Sequence, residues 1–235
     1  MNPLIYWIFL GLGIIAALVF LFLRVTRGGF PGLFSKAVAS FFFVATGFAG
    51  ALANPANSGF ATLMLLGLVL SVIGDIWLDL KWIYPKDDNT FLKAGIVSFF
   101  FGQIAFCCAQ FIFFDGWTLP RVLLPLGFAV GCTAAMFVLE KPMKFNFGKN
   151  KPILLIYSLT VTMNGWSALA VARYDGYEMI HWILFAIAGA LFMISDMELL
   201  KMYFGNGNNK VRIIINHTAY YAAQLLLAST IMFVK

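Results

Sequence analysis

Two aspartates stand in stretches of sequence that are otherwise apolar. Asp75 and Asp196 each lie in a hydrophobic run of about twenty residues, the length that crosses a bilayer as a helix. An ionisable side chain in such a run is costly, and it usually faces a bundle interior or a wet cavity where it has a function. Two carboxyl groups in such a bundle can act together, one as an acid and the other as an anion. The pattern therefore makes Asp75 and Asp196 the best functional candidates of the chain.

The depth of these aspartates follows from the basic residues that flank them. Asp75 lies six residues before Lys81, and Asp196 lies five residues before Lys201. At 1.5 Å per residue, the two carboxyl groups are ~9 Å and ~7.5 Å inside their helices. Both are therefore expected in the same half of the bundle. Asp79, one turn after Asp75, lies nearer the helix end and is interpreted as interfacial.

Further polar side chains are predicted to converge on this half of the bundle. Asn216, Tyr220 and Gln224 recur every four residues and so share one face of a helix. Lys36 could attract an anionic group or hold one aspartate ionised, and Gln103 could join two helices by a hydrogen bond. The candidate binding and supporting residues are Lys36, Gln103, Tyr157, His217, Tyr220 and Gln224.

The helices that would position these residues dominate the sequence. Of 235 residues, 62% are hydrophobic and 11% are charged, whereas soluble domains carry about 25% charged residues. The apolar residues form eight runs that can cross a bilayer core of ~30 Å, separated by turns rich in Gly, Pro and Asn. We predict an all-α, polytopic membrane protein with a single transmembrane domain over residues 1–235. Its eight transmembrane helices are predicted at residues 4–23, 33–52, 60–80, 91–114, 118–139, 152–173, 179–200 and 212–233.

The basic residues alternate along the chain. Nearly all lie in the first, third, fifth and seventh loops or in the helix ends beside them. The positive-inside rule then places these loops in the cytoplasm and both termini outside. The rule accounts for the net charge of +6, so no nucleic-acid partner is predicted. The expected location is the bacterial inner membrane, or the endoplasmic reticulum in a eukaryote.

The sequence suggests an internal repeat. One offset relates three pairs of polar residues: Asp75 with Asp196, Gln103 with Gln224, and Lys36 with Tyr157. Four helices in each half would make the halves parallel, related by an axis along the membrane normal. The repeat would place the two aspartates at matching depth around this axis.

No metal site or cofactor is predicted. The three cysteines lie in apolar runs without metal-ligand spacing, and they are interpreted as core or lipid-facing residues. The two histidines, His181 and His217, are expected on opposite sides of the membrane, which disfavours a histidine-rich zinc site.

Five ordered motifs resemble those of the YhhN-type lysoplasmalogenase family. They are Phe34-Ser35-Lys36, Gly67 to Leu78, Phe99 to Phe106, Gly189 to Asp196, and Tyr220 to Leu225. The resemblance implies an eight-helix membrane enzyme that hydrolyses the vinyl ether bond of a lysophospholipid, giving a fatty aldehyde and a glycerophospho-alcohol. Three positions differ from the common family pattern: Ala37 replaces Pro, Gln103 replaces His, and Phe106 replaces Tyr. Gln cannot transfer a proton, so a chemical role for that histidine would be absent here or taken by His217.

The resemblance gives the aspartates a candidate reaction. Hydrolysis of a vinyl ether begins with protonation of the β-carbon and forms an oxocarbenium ion that water attacks. One aspartate would supply the proton and the other would stabilise the cation, with the assignment between Asp75 and Asp196 open. Tyr157, Tyr220, Gln103 and Gln224 could hydrogen-bond the glycerol or the water.

Three other functions fit parts of the pattern. A proton-coupled transporter of a small or lipid-like solute would also use paired aspartates and a parallel repeat. A metal-dependent lipid hydrolase would need more histidines, and a structural protein would use the aspartates to join helices. The oligomeric state is left open by the sequence.

Overall fold

The computed structural model describes residues 3–205, 207 and 209–235, which form an all-helical bundle. Eight α-helices follow one another, and three short 3₁₀ turns join them. The helices are α1 (Leu4–Thr26), α2 (Gly29–Ala53), α3 (Ser58–Ile83), α4 (Asp88–Phe113), α5 (Leu119–Val138), α6 (Lys151–Tyr174), α7 (Ile180–Phe204) and α8 (Lys210–Phe233). The predicted all-α, eight-helix fold is confirmed, and each predicted boundary lies within about one helical turn of the observed one.

Asparagine side chains between the apolar runs cap the starts of two helices, α3 and α8. The side chain of Asn57 accepts a hydrogen bond from the backbone N–H of Phe60 at 3.1 Å and so caps the start of α3. Asn209 caps α8 in the same way, through the N–H of Arg212 at 2.9 Å. Each cap satisfies an amide that the helix cannot pair internally. The turn chemistry read from the sequence therefore sets these helix starts.

Seven helices are long and apolar enough to cross a membrane, and α8 is the exception. With 24 residues, α8 is long enough for a crossing at 1.5 Å per residue, but it carries more polar side chains. More than half of its residues are buried, because α1, α2, α3 and α7 pack around it. Its polar groups therefore contact other helices instead of lipid, which removes the need for a fully apolar sequence.

The packing of the helices follows the predicted repeat. Within each half, neighbouring helices pack in sequence, from α1 to α4 and from α5 to α8. Helix α8 contacts α1 and α3 of the first half, and the two largest contacts between the halves are α2 against α8 and α6 against α4. Exchanging the halves converts one of these contacts into the other. This is the pattern that two parallel four-helix repeats produce.

Equivalent residues of the two halves also occupy equivalent contacts. A Cβ atom on Gly95 would lie 2.6 Å from Leu78 and 3.3 Å from the carbonyl oxygen of Gly74, so α3 and α4 are in close contact there. The repeat matches Gly74 and Gly95 with Ser195 and Asn216. In the second half, the Asn216 amide donates to the carbonyl oxygen of Ser195 at 2.7 Å. Where α3 and α4 are in close backbone contact in the first half, α7 and α8 are thus joined by a hydrogen bond in the second.

The halves differ at their peripheral helices. In the first half, α1 packs extensively against α8, with the Phe20 ring 4.9 Å from His217 and 5.3 Å from Tyr221 between centroids. In the described part of the chain, α5 packs extensively against α6 but makes no comparable contact with α4. This difference leaves space between α4 and α5, which line one cavity.

Candidate active site

A polar cavity of about 240 Å³ lies at the end of the bundle where α1 ends, α2 begins, α3 ends and α8 begins. This is the end that carries most of the basic loops. Both predicted aspartates line the cavity. Its charged, amide and hydroxyl-bearing side chains are those of Arg24, Lys36, Asp75, Asp79, Tyr157, Ser195, Asp196, Tyr203, Asn216, His217 and Tyr220. Asp75 on α3 and Asp196 on α7 are far apart along the chain, and the fold brings both to one cavity.

Asp75 is held by a cation and two hydroxyl groups. Its side chain is 2% exposed, and Lys36 Nζ lies 3.0 Å from Oδ1. The hydroxyl groups of Ser40 and Tyr220 donate to Oδ2 at 2.6 Å and 2.7 Å. A buried cation and two donors are the environment of an ionised carboxylate.

Asp79 continues this ion cluster towards the helix end. It is 4% exposed, as is Lys36, whose Nζ lies 3.3 Å from Asp79 Oδ1. Arg24 from the last turn of α1 forms a second ion pair, from Nη2 to Asp79 Oδ2. The interpretation of Asp79 as interfacial was wrong, because α1 covers the end of α3. Lys36 lies between two carboxylates, an arrangement that fits the role of holding an aspartate ionised.

Asp196 has different surroundings. The Tyr157 hydroxyl donates to its Oδ2 at 2.8 Å. The ion pairs formed among residues 3–205, 207 and 209–235 do not include Asp196. Its side chain is partly buried, whereas that of Asp75 is almost fully buried. Asp75 and Asp79 are thus ion-paired, whereas Asp196 accepts its hydrogen bond from a phenol.

The two carboxyl groups occupy equivalent places in the repeat. Lys36 and Tyr157 are matched by the offset that matches Asp75 with Asp196, and each contacts the aspartate of its own half. Phe99 and Tyr220, which the offset also relates, meet with ring centroids 6.0 Å apart. Contact between related residues is expected where they approach a symmetry axis. The cavity therefore lies close to the axis of the repeat.

A second cavity of about 270 Å³ adjoins the first and is lined almost entirely by apolar side chains from α3 to α7. It lies in the space that α5 leaves beside α4. Six residues line both cavities: Leu78, Phe99, Tyr157, Asp196, Leu199 and Tyr203. Tyr157 and Asp196 are the polar pair at this junction. Asp75 and Lys36 line the polar cavity, and they are absent from the residues that line the apolar one.

Two of the predicted supporting residues lie elsewhere. The Gln103 side chain accepts a hydrogen bond from Asn164 Nδ2 at 2.5 Å, and Asn164 in turn accepts from Gln110. Gln103 thus joins α4 to α6, which is the role of interhelical glue. Gln224 is fully buried in α8, and neither glutamine lines the two cavities. Tyr157, His217 and Tyr220 do line the polar cavity.

Two contacts of the site were missed in the sequence. Ser40 lies one turn after Lys36, so its place on the same helix face was readable from its spacing. Arg24 was used as a topology signal only, and its partner Asp79 is 55 residues away. Local spacing does not reveal that contact.

The side chains of the site do not have the grouping of a metal centre. Within the described ranges, no three His, Cys, Asp or Glu side chains are grouped so that they could hold a metal ion. The cavity offers instead carboxyl groups, phenols and two cations, a set suited to moving protons and to binding a charged, partly apolar molecule.

The comparisons with known proteins agree with this arrangement at the level of the family. Residues 32–231 match the family model described as the YhhN family. The match extends from the first turns of α2 to the last turns of α8, so it includes both aspartates and lacks Arg24. None of the curated proteins and none of the solved structures matches the chain. Since the match covers most of an eight-helix membrane protein with two aspartates in one cavity, the chain belongs to the YhhN family.

Proposed function

We propose that the protein is a membrane-embedded hydrolase that cleaves the vinyl ether bond of lysoplasmalogens. The observation that carries the proposal is the position of Asp196 and Tyr157 at the junction of a polar and an apolar cavity. A single-chain ether lipid has the same division, because its ether bond joins a polar glycerophosphate to an apolar chain. The chain in the apolar cavity and the glycerol in the polar cavity would bring this bond to Asp196.

The reaction needs a carboxyl group that carries a proton, which means one that does not form an ion pair with a cation. Charged groups are costly in a bundle of apolar helices unless they are paired. Lys36, Ser40 and Tyr220 supply partners for the anion of Asp75, whereas Asp196 has a phenol. We therefore assign the proton to Asp196 and the fixed negative charge to Asp75.

The proposed hydrolysis passes through an oxocarbenium ion and a hemiacetal. Asp196 transfers its proton to the β-carbon of the vinyl ether, and the ether oxygen and its neighbouring carbon share the positive charge. The Asp75 carboxylate stabilises this oxocarbenium ion through the cavity. Water adds to the cationic carbon and gives a proton to Asp196. The resulting hemiacetal collapses to a fatty aldehyde, and its hydroxyl proton is transferred to the departing glycerol oxygen.

The orientation of the substrate follows from the basic end of the bundle. If the positive-inside rule holds for these loops, the polar cavity opens to the cytoplasmic leaflet. A lysophospholipid of that leaflet could place its headgroup at the loops and its chain within the bundle. This topology is part of the proposal and applies to either candidate membrane.

Purified protein incubated with three lysolipids tests the reaction. A vinyl ether lysolipid is expected to release an aldehyde, identified by mass, while its ester and alkyl ether analogues remain intact. Asp75→Asn and Asp196→Asn should each lower the rate by about 10²-fold or more, the usual contribution of a positioned acid or charge. Asp87→Asn, at an exposed residue between α3 and α4, is the matched control and should leave the rate unchanged.

Two results would contradict the proposal. Full aldehyde release by both aspartate variants would show that neither carboxyl group takes part. Uptake of a solute that depends on a proton gradient, without any hydrolysis product, would favour the transporter instead.

A further inference from the structure

We propose that Arg24 binds the phosphate of the lipid headgroup at the mouth of the polar cavity. This inference rests on the proposed lipid substrate and assigns a residue that lies outside the family match. The ligand chemistry is a phosphate ester with one negative charge, attached to an apolar chain.

The mouth of the cavity is defined by residues at the ends of helices. Arg24 is in the last turn of α1, and Gly28 and Gly29 join α1 to α2. Trp82 is near the end of α3, and Ile213 is in the first turn of α8. All five line the polar cavity. The two glycines carry no side chain and have open space around them, so a headgroup can approach the backbone there.

Arg24 has donors that its present contacts do not use. Nη2 forms the ion pair with Asp79, but Nε is buried without a hydrogen-bond partner. A guanidinium group presents its N–H groups in a planar fork that matches phosphate oxygens. A buried N–H without a partner is costly, and a phosphate oxygen bound at this edge would remove that cost.

The side chain of Arg24 is held in position. Its guanidinium carbon lies 5.3 Å from the centre of the Phe20 ring. It also lies 3.3 Å from where a Cβ atom on Gly32 would be, so the side chain packs closely against α2 at this glycine. The side chain is 12% exposed. Such packing lowers the entropy cost of binding an anion, because the fork is already oriented.

Lys36 is less suited to this role than Arg24. Its Nζ lies 3.0 Å from Asp75 and 3.3 Å from Asp79, and the residue is 4% exposed. Binding a phosphate there would remove the cation from Asp75. Arg24 lies farther towards the helix ends and shares only Asp79 with the cluster. The two cations therefore divide the work: Lys36 fixes Asp75, and Arg24 receives the headgroup.

The spacing agrees with the size of the ligand. Asp75 and Asp79 are one turn apart on α3, ~6 Å along the axis. A glycerol backbone between its phosphate and its ether oxygen spans a comparable distance. A phosphate bound beside Asp79 by Arg24 would therefore leave the ether bond at the level of the aspartates.

Calorimetric titration of the detergent-purified protein tests the site without relying on catalysis. The probes are an alkyl ether lysophospholipid, a monoalkylglycerol with the same chain, and inorganic phosphate. Arg24→Gln should weaken binding of the phospholipid about tenfold or more, as expected for a charge-assisted pair, and leave the monoalkylglycerol unchanged. Arg27→Gln, at an exposed residue three positions away, removes the same charge and should bind both lipids as the wild type does.

Asp79→Asn is the second variant, because it removes the carboxylate that competes for Arg24. It should bind the phospholipid several-fold more tightly than the wild type. If Arg24→Gln fails to fold, this variant decides alone: tighter binding supports the site, and unchanged or weaker binding overturns it.

The remaining outcomes are also decisive. Equal weakening of both lipids in Arg24→Gln would show a structural role and would overturn the site, as would tight binding of inorganic phosphate without a chain. Arg24-dependent binding of the phospholipid without cleavage of any vinyl ether would support the site and contradict the proposed reaction. If Arg24→Gln changes neither binding nor cleavage, the site is contradicted and the proposed reaction is supported.

Discussion

Asp75 and Asp196 line one cavity from equivalent positions of a repeat, and they have different partners. In the first half, Lys36 contacts Asp75, and in the second, Tyr157 contacts Asp196. A single difference, lysine against tyrosine, turns one pair into an ion pair and leaves the other without a cation. A symmetric scaffold can thus place two identical groups at one depth, while the sequence gives each a different chemistry.

The surroundings of the two groups differ in the same direction. Beside the first half, α1 fills the bundle with Phe20 against α8. Beside the second half, α5 stands away from α4, and the apolar cavity reaches Asp196. The Tyr157–Asp196 pair therefore lines the apolar cavity, where we propose that the lipid chain binds, and the Lys36–Asp75 ion pair remains on the polar side. This correlation is the reason why we assign the proton to Asp196.

Replacement of Tyr157 by lysine should have the largest effect on this comparison. Tyr157→Lys gives Asp196 the cation that Asp75 has, so the carboxyl group should stay ionised and no longer donate a proton. We expect the rate of aldehyde release to fall about 10²-fold, the contribution of a general acid. The measurement is the initial rate at several pH values. Activity equal to that of the wild type would contradict the asymmetry between the two pairs.

Tyr157→Phe separates the loss of the hydroxyl from the gain of a charge. It removes the hydrogen bond to Asp196 and adds no cation. Its rate should lie between those of the wild type and Tyr157→Lys. If Tyr157→Phe and Tyr157→Lys lose the same activity, the hydroxyl itself would be the required group.

The stability of the two pairs should differ as well. Lys36→Met leaves two buried carboxylates with fewer cations, and removal of one partner from a buried ion pair costs about 3–5 kcal/mol. Tyr157→Phe removes one hydrogen bond and should cost about 1 kcal/mol. Unfolding in mixed micelles measures both, with Lys86→Met at an exposed loop residue as the control. A larger loss in Tyr157→Phe than in Lys36→Met would reverse our view of which half is charged.

The fold was largely predictable because its signals are local. Each helix is an apolar run of bilayer length, and capping residues such as Asn57 and Asn209 lie at the starts. The pair Asp75 and Asp196 was predictable because a carboxyl group is costly in such a run. The repeat offset also related Lys36 to Tyr157, which the structure shows in equivalent contacts.

The environment of the site was not predictable in the same way, because it depends on which helices meet. Asp79 lies near a helix end in the sequence, yet Arg24 of α1 covers it. Helix α1 packs against α8, whereas α5 makes no comparable contact with α4 in the described part of the chain. Residue spacing within one helix does not encode this difference. Polar residues in membrane helices indicate contacts, but the partner is chosen by tertiary structure.

Substitution of Gln103 should have the smallest effect. It tests whether a residue outside the two cavities contributes to the reaction of Asp75 and Asp196. The resemblance read from the sequence implies histidine as the common residue at this position, so Gln103→His introduces it. Gln103 lies outside both cavities and joins α4 to α6 through Asn164. We therefore expect no gain in the rate of vinyl ether cleavage. Stability should fall by about 1 kcal/mol if the hydrogen bond to Asn164 is lost. Asn164→Ala breaks the same contact from the other side and also removes the hydrogen bond that Asn164 accepts from Gln110, so its loss of stability should be the larger. A clear rise in rate for Gln103→His alone would mean that this position reaches the substrate, and that the two carboxyl groups of the cavity do not complete the catalytic set.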